Sequence, residues 1–192
     1  EFISLSKLKG ADPFAPTLNQ GVLGIGLLYY FDKMNHILPF MMLIIVGVMI
    51  VEVFRKNKSP FLNISSTVFA MIWLGVLIGS MIYIRNNEAG FIITLSMFLS
   101  VWTCDTCAFF FGKKFGKTKI MPKISPNKTI LGTVSGLLGT MVFLLTMSYL
   151  NIIELNILES FILALITGGI SQFGDFFESK LKREVNIKDT SN

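Results

Sequence analysis

Two acids stand where acids are expensive. Asp105 lies inside the apolar run 90–112 (GFIITLSMFLSVWTCDTCAFFFG), and Asp175 lies near the end of the apolar run 157–177. An ionisable side chain in a bilayer-length apolar segment is a functional candidate by default. The competing reading is an acid at a helix end that snorkels to the interface. Asp175 has the richer surroundings. On a helix, positions 172, 175, 179, 182 and 186 follow steps of three and four and share a face. Here they are Gln172, Asp175, Ser179, Lys182 and Asn186, a polar stripe leading out of the apolar run. A carboxylate on it suits a hard cation such as Mg²⁺, which takes oxygen ligands and keeps waters or phosphates as partners. Lysines beside it suit phosphate oxygens.

The complement lies in 113–129 (KKFGKTKIMPKISPNKT), with six lysines and no acid. Gly112 and Gly116 allow the backbone close to a ligand. Ser125-Pro126-Asn127-Lys128-Thr129 leads straight into the next apolar run. Ser125 is the expected cap of that helix, whose free N–H groups would face phosphate. An acid-bound metal and lysine-bound polyphosphate at a membrane surface point to phosphoryl or nucleotidyl transfer to a lipid.

The elements that must position these residues are read from composition. The chain has 192 residues, 52% hydrophobic and only 15% charged, with a mean hydropathy of +0.65. A bilayer-spanning helix needs about 20 mostly apolar residues. Five stretches qualify, at about 36–54, 64–84, 90–112, 130–150 and 157–182. A sixth run, 21–31, is too short to span alone: it reads as a re-entrant piece or as part of a longer helix broken at Asp32, Lys33 and His36. The expectation is an all-α polytopic membrane protein of five to six transmembrane helices, with an N-terminal segment 1–35 and a catalytic membrane domain 36–192.

The loops sort by charge. Residues 55–63 hold three bases and no acid, 85–89 are neutral, 151–156 hold only Glu154, and the tail from 178 is basic again. Rich and poor loops alternate, and the positive-inside rule assigns the rich ones, and the site, to the cytoplasmic face. The expected location is the inner membrane of a bacterium. The net charge of +5 would draw anionic headgroups and polyphosphates; no nucleic-acid partner is expected. Smaller signals read as packing. Cys104 and Cys107 form a lone C-x-x-C in an apolar helix, and one histidine gives no zinc set. Gly75–Gly79 and Gly132–Gly136 suit close helix crossings and, with the resemblance below, a homodimer.

Three blocks resemble the phosphatidate cytidylyltransferases (CDP-diacylglycerol synthases). They are DTCAFFFGKKFGK (105–117), ISPNKTILG (124–132) and QFGDFFESKLKREVNIKD (172–189). The last follows the family's S-x-[hydrophobic]-K-R-x(4)-K-D through Ser179, Leu181, Lys182, Arg183, Lys188 and Asp189. The resemblance covers roughly 36–192. It implies condensation of CTP with phosphatidate to CDP-diacylglycerol and pyrophosphate, with Mg²⁺ as one or two divalent ions. It makes Asp175 the first metal ligand, with Asp105 as the second candidate. Lys182, Arg183 and Lys188 would hold phosphates, with Asp189 beside them in the catalytic set. Ser125, Lys128 and Thr129 would contact nucleotide or lipid phosphate, with Lys117, Ser179 and Gln172 as further substrate contacts. Asn127 and Leu131 replace a usual Lys and Glu, and Phe109 a commoner Tyr. The family signature continues to a D-R-x-D, whereas this sequence reads Thr190-Ser191-Asn192. The expectation is a fragment or a degraded gene product, with little or no transferase activity in the chain as it stands. The alternatives are a CTP-dependent polyprenol kinase-like enzyme, which the S-x-L-K-R block opposes, and a transporter, which the clustering of both acids at one face opposes.

Overall fold

The computed structural model describes residues 1–56 and 59–187. Lys188 and Asp189, both assigned to the site from sequence, lie outside the described residues. The chain divides into two compact units, Glu1–Asn87 and a second beginning at Glu88.

The first unit holds α1 (Phe2–Leu8), α2 (Ala15–Tyr30), α3 (Ile37–Phe54), α4 (Pro60–Ala70) and α5 (Leu77–Arg85). A wider π-helical stretch, Met71–Val76, joins α4 to α5. The apolar run 21–31 is the back half of α2. Of the two readings offered for it, part of a longer helix is the one observed; the front half, APTLNQ, is polar and so did not extend the apolar run. The break falls where the sequence placed it: Asp32 sits at φ 54. Both ends of α2 are tied down. At its start, the Asp12 N–H donates to Asn63 Oδ1 (2.6 Å), and Arg55 Nη1 donates to the Asp12 carbonyl (2.9 Å). At its end, Asn86 Nδ2 donates to the Tyr30 carbonyl (3.2 Å). The helix is about 24 Å long, 16 residues at 1.5 Å each. Beneath Arg55, Glu52 is buried and accepts from Arg55 Nη1 (2.7 Å) and from Asn63 Nδ2 (3.1 Å). A buried carboxylate persists only with such partners.

The second unit holds α6 (Gly90–Phe115), an antiparallel hairpin of β1 (Lys119–Met121) and β2 (Ser125–Thr129), α7 (Ile130–Tyr149), α8 (Ile157–Leu165) and α9 (Ser171–Glu184). A π-helical stretch, Ile166–Ile170, joins α8 to α9. Asn156 and Glu159 form a reciprocal capping box that starts α8. Helices α6 and α7 cross almost backbone to backbone. A Cβ on Gly136 would stand 2.8 Å from the Cys104 carbonyl oxygen, and one on Gly132 would stand 2.7 Å from that of Ala108. Gly75 is likewise filled by Ile25. Both glycine pairs are thus spent inside the chain, which removes the sequence argument for a homodimer built on them.

Five helical segments are long and apolar enough to cross a membrane: Met34–Phe54, Pro60–Arg85, Gly90–Phe115, Ile130–Tyr149 and Ile157–Glu184. Their large side chains, such as Val53, Trp102, Val142 and Phe173, face outward. An apolar exterior of this extent is what hydrocarbon, not water, selects. The protein is an all-α, multi-pass membrane protein.

Candidate active site

The site lies in the second unit, where α6, the hairpin, α7 and α9 meet around a cavity of about 520 Å³. That is within the size range of small-molecule sites. Helices α6 and α9 supply the acids; the hairpin and the end of α6 supply the bases.

Asp105 lines the cavity from α6. Its charged neighbours are Asp175 and Lys128. Asp175, one turn beyond Gln172 on α9, holds Lys128 Nζ at 2.9 Å. Lys128 also rides over the Phe176 ring at 4.5 Å, and it lines the cavity from β2. The two acids that the sequence singled out are therefore brought together around Lys128, with this lysine of the second motif as the counterion of one of them.

The hairpin holds Lys128 there. β1 and β2 pair through Lys119–Thr129 and Met121–Ser125. Extended pairing carries β2 as far as Thr129, so Thr129, not Ser125, caps α7: its Oγ1 accepts from Gly132 N–H at 3.1 Å. Ser125 opens β2 instead, four residues too early for the capping role expected of it. Thr129 is buried, and a Cβ on Gly116 would run into its Oγ1. Gly116 is small because the cap occupies its space.

Other expectations fare differently. Gln172 is buried and lines the cavity. Lys182 pairs with Glu178 at 2.6 Å. Arg183 Nε donates to the Ile124 carbonyl at 3.4 Å, linking the end of α9 to the hairpin. Ser179 is half-buried on α9 between these groups. Lys117 is exposed and does not line the cavity; Lys113 and Lys119 do. Only the fold separates these lysines, because all six in the loop look alike in sequence. Lys119 Nζ reaches the Asn127 carbonyl at 3.5 Å, so Asn127, where the resembling family has Lys, still belongs to the wall.

Among the described residues no three His, Cys, Asp or Glu side chains group as a metal cage. Two carboxylates within electrostatic range, beside lysines suited to phosphate, fit the mode in which Mg²⁺ is held by one or two carboxylates plus substrate oxygens. Cys104 is buried against α7, and its Sγ donates to the Gly168 carbonyl at 3.6 Å.

The cytidylyltransferase family model matches residues 1–192. The chain is 35% identical over 138 residues to a protein named phosphatidate cytidylyltransferase from Staphylococcus aureus (strain COL), covering 72% of this chain and 52% of that one. Proteins of the same name from Staphylococcus haemolyticus (strain JCSC1435) and Staphylococcus epidermidis (strain ATCC 12228 / FDA PCI 1200) match over the same shares at 34% and 33%. The chain spans about half the length of these curated relatives.

Proposed function

From a chain that belongs to the cytidylyltransferase family, we propose transfer of a cytidylyl group from CTP to phosphatidate, giving CDP-diacylglycerol and pyrophosphate, at the cytoplasmic face of a bacterial inner membrane. The observation that carries this reading is the cavity itself: Asp105, Lys113, Lys119 and Lys128 on its wall, with Asp175 held to Lys128. The helices around it carry an apolar outer surface, which suits an enzyme that brings a lipid phosphate to a water-borne triphosphate.

A phosphatidate oxygen attacks the α-phosphorus of CTP. The new P–O bond forms as the bond from the α-phosphorus to the bridging oxygen breaks, and pyrophosphate leaves with that electron pair. The nucleophile is already an anion, so no strong base is required. Positioning and charge neutralisation dominate. Lys128 gives up Asp175 for phosphate oxygens, which frees the carboxylate. Lys113 and Lys119 hold the triphosphate from the other side. Asp175, with Asp105, would hold Mg²⁺. Bound there, the ion supplies positive charge to the transferring and leaving phosphates. Arg183 fixes the hairpin that carries Lys119 and Lys128.

The test is incorporation of labelled CTP into chloroform-soluble product by membranes carrying the whole gene product, with phosphatidate and Mg²⁺ supplied. CDP-diacylglycerol, absent when phosphatidate is omitted, is the expected product. A labelled polyprenyl phosphate, or no labelled lipid, would overturn the reading.

A further inference from the structure

Gln172 is buried at one end of the cavity, and its side-chain amide is oriented without ambiguity. Nε2 donates to the Thr133 carbonyl at 3.1 Å and to the Gly168 carbonyl at 3.0 Å, with Cys104 Sγ at 3.3 Å. Backbone carbonyls only accept, so the nitrogen must face them and the oxygen must face away. Among the described residues no donor is paired with Oε1. Nor does Oε1 rank with the sealed, unpartnered polar atoms, which are Thr94 Oγ1, Ser160 Oγ and Ser171 Oγ. What Gln172 offers to the cavity it lines is a fixed acceptor.

The local fold makes it so. The π-helical stretch Ile166–Ile170 directly precedes α9, and widened turns of this kind loosen the regular carbonyl pairing. The Gly168 carbonyl takes up Gln172 and Cys104 Sγ. The side chain is thereby pinned to α7 and α6 as well as to its own helix.

The cavity also has a polarity along its length. Lys113 and Lys119 line it beside Gly116 at the hairpin end, Gln172 lines it at the bundle end, and Lys128, held to Asp175 one turn beyond Gln172, lies between. From Asp105 to Gly116, both on its wall, is about 16 Å along the axis of α6. A triphosphate belongs at the basic end, which sends the nucleoside toward the other. That other end presents acceptors, since the donors of Gln172 are already spent.

We propose that Gln172 reads the base, its Oε1 accepting a hydrogen bond from the exocyclic 4-amino group of cytosine at the bundle end of the cavity. This rests on the cytidylyl-transfer reading above. Cytosine carries a donor at C4 where uracil carries a carbonyl. A uracil in this position sets acceptor against acceptor, and a buried site built around a hydrogen bond discriminates strongly against a base that cannot make it.

The experiment measures kcat/KM in membranes carrying the whole gene product, for CTP, UTP and the triphosphate of the pyrimidinone riboside that lacks the 4-amino group. The wild-type protein is expected to prefer CTP over both by about tenfold or more. Gln172→Met is expected to lower the value for CTP while leaving the other two within about threefold, so that the preference collapses. A purely structural role would lower all three together, and that result overturns the proposal. So does a rise in the Mg²⁺ requirement of the variant with the base preference intact, which would give Oε1 to a cation instead. Should Gln172→Met fail to accumulate, the wild-type comparison decides alone: equal use of CTP and the 4-deamino analogue overturns it. If the wild-type protein forms no cytidylyl lipid from CTP, the transfer reading falls first and this proposal with it, an outcome distinct from the loss of preference.

Discussion

Lys128 and Asp175 are each other's counterion, 2.9 Å apart with side chains 32% and 52% exposed. A pair that open to solvent contributes about 0–1 kcal/mol, so exchanging it for phosphate and cation is easy. Their removal should therefore harm catalysis far more than folding. Asp175→Asn is expected to lower cytidylyl transfer on the order of 10²-fold or more, with little change in melting temperature. Lys128→Gln is expected to raise the KM for CTP about tenfold and to flatten its dependence on ionic strength, because a cation is lost from the phosphate end. Thr129→Ala removes the α7 cap and should cost about 1 kcal/mol of stability, read as a lower melting temperature in detergent. The sequence identified both acids by the expense of charge in an apolar run, and Lys128 by the motif that leads into α7. It named Ser125 as the cap of α7, and nothing local reveals that strand pairing runs on to residue 129. It named Lys117 rather than Lys113 and Lys119 for a similar reason. Which lysine faces inward depends on the hairpin register.

At the scale of elements, hydropathy located every long helix, since a run that must face lipid has to be apolar along its whole length. It left the run 21–31 open between a re-entrant piece and part of a longer helix, because α2 is half polar at its start. It was blind in two places for definite reasons. The hairpin strands KIM and SPNKT are short and mostly polar, with a Pro in the second. The two π-helical stretches change one hydrogen-bond step and leave hydrophobic periodicity intact. The crossing of α6 and α7 carries the geometry of the site, because it fixes Asp105 opposite β2 and α9. Gly136→Leu puts a branched side chain against the Cys104 carbonyl and Ala108. Overpacking of this kind costs about 1–3 kcal/mol. The expected outcome is a lower melting temperature together with lost transfer, whereas a wild-type melting curve would show that the crossing is not tight.

At the scale of the whole molecule, the alternation of basic and neutral loops is the ground for the proposed orientation. Helix α7 is 20 residues long, about 30 Å and so one bilayer core. It separates the basic hairpin from the 150–156 turn. With Cys104 and Cys107 replaced, a single cysteine at Lys119 should react with an impermeant maleimide only from the cytoplasmic side, and one at Asn151 only from the other. Labelling of both from one side would remove the proposed orientation and, with it, the access of the site to CTP. The central claim is that this cavity joins CTP to phosphatidate with Asp175 in a required role. The most direct measurement sets wild-type protein beside Asp175→Asn, at equal amounts in membranes, and follows CDP-diacylglycerol formed from labelled CTP, phosphatidate and Mg²⁺. The account expects product from the wild type and a loss on the order of 10²-fold or more in the variant. Equal rates from the two, or wild-type product that does not require phosphatidate, would contradict it.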